Sequence, residues 1–154
     1  MNLNIKAELI FWLITLVIVS IVLLPIFQYY GTEYPFYIEN IPMIIVFLTY
    51  TRYIFLLKYA PFSKNKLVKL FFIFLSIPLF FIFMDSLFDF QRYLDEVGFV
   101  GISKGNDADY AASMARYSRY QFIFFGTGAI FVLFVIPIRM VVSIWRVANN
   151  KAKV

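Results

Sequence analysis

Neither cysteine nor histidine occurs in this chain. Their absence removes disulfides, thiolate zinc sites, imidazole metal ligands, haem axial histidines and every nucleophile that depends on a histidine base. Charge is scarce as well. Only 15% of the 154 residues are Asp, Glu, Lys or Arg, against roughly 25% in an average soluble domain. With 62% hydrophobic residues, the composition predicts a protein solvated mainly by lipid. The length allows about four spans of ~20 residues with short connections, and leaves no room for a separate soluble domain. No cofactor and no metal are expected, and an enzyme is the least supported class.

Apolar runs long enough to cross a bilayer lie at about 9–27, 41–59, 67–84 and 121–138. The first exceeds the ~7–15 residue core of a cleavable leader and lacks a small-x-small site after it, so it is expected to remain as an anchor. Asn40 is placed to cap the second, with Pro42 in its first turn. Barrel strands need only ~9–11 residues and alternate polar with apolar, whereas these runs do not alternate. The predicted fold is therefore an all-α integral membrane protein, a four-transmembrane-helix bundle forming one domain over 1–154.

Basic residues orient it. With the N-terminus inside, Lys6, Arg52, Lys58, Lys64, Lys66, Lys69, Arg139, Arg146, Lys151 and Lys153 fall on or toward the cytoplasm. Only Arg92, Lys104, Arg116 and Arg119 fall outside, and Glu8 is the sole inner acid. The expected location is a bacterial cytoplasmic (inner) membrane with both termini cytoplasmic. The net charge of +5 thus reports topology and predicts no nucleic-acid partner.

The polar stretch 85–119 is expected to form a short extracytoplasmic helical cap between helices 3 and 4. Asp85, Asp89, Arg92 and Glu96 share one helical face there. Two carboxylates a turn apart are able to share a proton or hold a cation, but the adjacent Arg92 favours an ion-paired, solvated face. Gly98, Gly101 and Gly105 mark a turn, after which Asp107 or Asp109 is placed to cap the next helix. Tyr29, Tyr30, Tyr34, Phe36 and Tyr37, together with Tyr110, Tyr117 and Tyr120, read as an aromatic belt at headgroup depth. The segment 139–154 reads as a cytoplasmic amphipathic tail along the inner leaflet.

Three intramembrane features stand out. Arg52 lies ~16 Å below the outer boundary and ~10 Å above the inner one at ~1.5 Å per residue. A charge at such depth costs roughly 2.5–3.5 kcal/mol unless it is compensated. Snorkelling to the headgroups is one solution. The other is an inward-facing polar cluster in which Arg52 pairs with Glu8 and is surrounded by the hydroxyls of Thr49, Tyr50, Thr51 and Tyr53. In the fourth span, Gly126, Gly128 and Ala129 offer a close helix contact, within the bundle or with another copy. Pro78, mid-span, is expected to bend the third helix.

The expected function is that of a non-enzymatic polytopic membrane module working through helix and loop contacts: an accessory subunit, a membrane sensor, or an immunity or defence component. The alternative is a pore-forming or transport subunit of a homo-oligomeric assembly. Expected partners are membrane lipids and either further copies of the chain or another membrane protein. In layout the whole chain is similar to immunity proteins against pore-forming bacteriocins, which share four spans, inside termini and a polar outer connection between spans three and four. The resemblance rests on no sequence motif.

Overall fold

A computed structural model of the protein describes residues 3–98 and 108–149. Among these, all regular structure is helical: α1 (Leu3–Tyr30), a 3₁₀ turn (Gly31–Glu33), α2 (Tyr37–Leu56), a second 3₁₀ turn (Leu57–Tyr59), α3 (Lys66–Glu96) and α4 (Ala108–Ala148). All four α-helices are long and apolar enough to cross a membrane. Helices follow because hydrocarbon offers the backbone no hydrogen-bond partner, so each segment must satisfy its own N–H and C=O groups.

Local chemistry sets the ends. Gly31 takes a left-handed φ of 59° just beyond α1, a conformation that costs glycine little. Tyr37 Oη then donates to the Gly31 carbonyl at 2.8 Å, closing the turn into α2. Asn65 Oδ1 accepts from the N–H groups of Leu67 and Val68, satisfying two donors at the start of α3. Asn40 does not cap α2. The helix already begins at Tyr37, so Asn40 sits one turn inside it, completely buried.

The two later helices outrun their apolar cores. At 1.5 Å per residue the 20 residues of α2 extend about 30 Å, close to the hydrocarbon thickness. The 41 residues of α4 extend about 60 Å. The expected helix after Met84 is the last part of an unbroken α3, and the expected tail after Arg139 continues α4 as far as Ala148 with Met140 and Ser143 buried. Gly101, Gly105 and Asp107 lie outside the described residues, as do positions 150–154. Asp109 falls within the first turn of α4.

The chain runs up and down, and α4 is its spine, packed against both α2 and α3. Its buried positions Phe122, Phe125, Gly126, Ala129, Val132, Leu133, Ile136 and Met140 recur at helical spacing. The small residues set the approach distance. A Cβ on Gly126 would lie 2.8 Å from Leu87 Cδ2 of α3 and 3.2 Å from Met43 Sδ of α2. A Cβ on Gly128 would lie 2.7 Å from the Phe47 ring of α2. Ala129 between them is fully buried. These three residues join α4 to its neighbours within one bundle.

By contrast α1 leans on α2 and α4 through a narrow stripe, Thr15, Val19, Leu23, Ile26 and Tyr30. Its other faces carry exposed apolar residues such as Leu13 and Ile21. That pattern suits a helix with lipid on one side and protein on the other. Aromatic clusters close both ends of the bundle. At one end Phe90 of α3 stacks on Phe122 of α4 with centroids 4.0 Å apart, and Phe36 sets its edge against both. At the other, Tyr53, Phe62 and Phe72 form a triangle.

Replacing Gly126 with Val is expected to cost about 1–3 kcal/mol, because branched bulk is driven into Leu87 and Met43. Detergent-phase unfolding of the variant beside the parent checks this; an unchanged midpoint would show that α4 is not in close contact there.

Candidate functional site

Glu8 comes from the first turns of α1, and Arg52 and Tyr53 from the last turns of α2. Because α1 and α2 are antiparallel neighbours, these two ends meet at the same level. Arg52 Nη2 donates to Glu8 Oε1 at 2.5 Å, and Tyr53 Oη donates to the same oxygen at 2.7 Å. The guanidinium also lies over two aromatic rings, with Arg52 Cζ 4.9 Å from the Phe11 centroid and 4.5 Å from that of Tyr53. Side-chain exposure of 12% for Arg52 and 17% for Glu8 places the pair within the protein rather than out on a long stem.

Each contact has a reason. Arginine supplies a planar fork that bonds a carboxylate in its plane while its faces rest on rings, a combination lysine lacks. The single carboxylate accepts both an ionic and a phenolic donor, which compensates its own burial. With Phe11, Leu56 and Tyr59, the bonded residues Glu8, Arg52 and Tyr53 line a half-open recess of only about 10 Å³, at the lower limit of what one water molecule needs. The arrangement acts as a clamp between two helices.

Of the other residues expected in this cluster, Thr49 and Tyr50 are buried on α2 but make no hydrogen bond to the pair. Tyr50 instead faces α3, with its ring 5.6 Å from that of Phe72. The acidic face of α3 behaves differently again. Asp85, Asp89, Arg92 and Glu96 are all exposed, and Arg92 Nη2 bonds Asp89 Oδ1 across one turn. Solvated pairs of that kind contribute about 0–1 kcal/mol. Among the described residues there is no group of three acidic side chains arranged to hold a metal ion.

Two further cations turn inward beside the clamp. Lys69 of α3 is fully buried and donates to Ser143 Oγ of α4 at 2.7 Å. Arg139 Nε of α4 donates to the Ile54 carbonyl at 2.9 Å, serving one of the free carbonyls in the last turn of α2. Read from charge alone, both were topology markers. In the structure Lys69 shares the buried stripe of α3 with Ser76, Phe83 and Phe90 at seven-residue spacing, a register whose mixed Lys, Ser and Phe carry no apolar contrast to single it out in the sequence.

The opposite end also departs from expectation. Tyr30 and Tyr34 are 1% and 2% exposed, so this part of the expected aromatic belt is instead a packed plug. Tyr34 meets Phe36 and Tyr37 edge to face, and burial pushes its phenol well above the usual range, keeping it neutral. Asn40, Ser118 and Gln121 are buried at the same end. Tyr110, Tyr117 and Tyr120 remain exposed, as belt residues do, and Tyr117 Oη donates to the Val22 carbonyl of α1 at 2.9 Å. Comparison of the chain with protein-family models, curated proteins and solved structures finds no match.

Removing one member of the clamp leaves the other charged and unpaired. Arg52→Leu is expected to lower stability by about 3 kcal/mol and Arg52→Lys by less, since an ammonium still reaches Glu8 but lacks the planar face that rests on the rings. A double-mutant cycle of Arg52→Leu with Glu8→Gln, followed by unfolding in mixed detergent, checks the coupling; strictly additive losses would mean that the two side chains act separately.

Proposed function

We propose that this chain is a non-enzymatic, multi-pass module of a bacterial cytoplasmic membrane, with both termini in the cytoplasm, acting through contacts with lipids and other membrane proteins. Accessory subunit, membrane sensor and immunity or defence component are the roles within that class. The supporting observation is the use made of the buried polar groups. Glu8, Arg52 and Tyr53 bond one another, Lys69 bonds Ser143, and Arg139 bonds a helix carbonyl. Each joins one helix to another, which is what a scaffold requires of intramembrane polar residues.

The inward cations fit the proposed orientation, because they gather where the positive-inside rule places the cytoplasmic face. On that orientation the acidic end of α3 and the start of α4 form the extracytoplasmic cap, the surface open to a partner in the outer space. The uncovered apolar side of α1 would meet lipid or a partner helix.

A pore-forming or transport subunit is the second reading. It draws on Ser20 of α1 and Thr127 of α4, exposed residues whose hydroxyls donate to their own helices and keep a lone pair that a ring of copies would offer to an ion or water. Mass measurement of the detergent-extracted complex and ion flux through vesicles reconstituted with the purified chain separate the two. A small assembly with flux equal to that of empty vesicles is expected; a ring that conducts would replace the module reading with the pore.

A further inference from the structure

A groove of about 430 Å³ lies between α3 and α4 toward the tyrosine end. Gln91, Leu94 and Asp95 line it from α3, and Arg116, Arg119 and Ile123 from α4. Opposite charges thus face a common volume from its two walls. They do not pair across it: among the described residues, no carboxylate lies within salt-bridge reach of Arg116 or Arg119. Among the described residues, Arg116 bonds only its own helix, through a long 3.4 Å contact from Nε to the Ala112 carbonyl.

Depth narrows the ligand. The arginines come just before the apolar run 121–138, and the exposed Tyr120 follows Arg119 directly. Amphipathic rings of this kind sit at the level of lipid headgroups. Ile123 lies one turn deeper than Arg119, on the side from which acyl chains would leave.

We propose that this groove holds the headgroup of a phospholipid that carries both a phosphate and a primary ammonium. The phosphate lies between the guanidiniums of Arg116 and Arg119, whose planar forks match phosphate oxygens. The ammonium donates to the Asp95 carboxylate and the Gln91 side-chain oxygen. A purely anionic headgroup would leave Asp95 facing negative charge, and a trimethylated one has no N–H to give it.

The test is thermal unfolding of the purified full chain in a mild nonionic detergent, titrated with phosphatidylethanolamine, phosphatidylcholine, phosphatidylglycerol or soluble O-phosphoethanolamine. Phosphatidylethanolamine is expected to stabilise with an apparent affinity about tenfold above the other two lipids. In the double variant Arg116→Gln/Arg119→Gln that affinity falls about tenfold. Asp95→Asn removes the preference for ethanolamine over choline while leaving phosphatidylglycerol no weaker. Because each variant is judged by the ratio between lipids, a general change in stability does not imitate the result. Equal stabilisation by ethanolamine and choline lipids, or an unaltered preference in the double arginine variant, overturns the site. If soluble O-phosphoethanolamine matches the lipid, the membrane source of the ligand is overturned.

Discussion

Hydrocarbon offers a polar atom nothing to bond to, and the organisation of this bundle follows from that constraint. An unmatched charge in such surroundings costs roughly 2.5–3.5 kcal/mol on insertion scales, enough to displace a helix held by a thin contact. The helix α1 is held in that way, by one residue per turn along a single stripe. The bonds from Arg52 and Tyr53 to Glu8 fix its height against α2, and the bond from Tyr117 to the Val22 carbonyl ties it to α4. Two polar contacts thereby set the position of a helix whose apolar surface is almost indifferent to rotation.

The rest of the bundle depends on shape. With lipid as apolar as a leucine side chain, helices gain little from merely being hydrophobic and associate where they fit closely. Gly126, Gly128 and Ala129 remove the side chains that would hold α4 away from α2 and α3, so that Leu87, Met43 and Phe47 reach its backbone. Stacked and edge-on phenyl rings then fill the ends, where the helices have room between them.

The two ends differ in chemistry. One collects Arg52, Lys69 and Arg139, all turned inward and bonded to a neighbouring helix. The other buries phenols, a hydroxyl and carboxamides, and leaves its arginines on the outside between α3 and α4. Cations that brace helices at one end and cations that face an open groove at the other have different uses, although composition counts them alike.

Much of the fold was legible in the residues. Four apolar runs of bilayer length force helices, and the lack of alternation excludes strands. Arg52 stood out because its depth is countable, and Glu8 was within reach as its partner because the basic side offers no other acid. Hidden from the sequence were the inward turn of Lys69 and Arg139, the burial of Tyr30 and Tyr34, the unbroken run of α4 past Arg139, and the face that α1 gives to its neighbours. The physical reason is common to all of them. In water, a helix reveals its buried side by the contrast between apolar and polar residues. In lipid the outside is as apolar as the inside, so that contrast is erased, and only the contacts made in three dimensions decide which way each side chain turns.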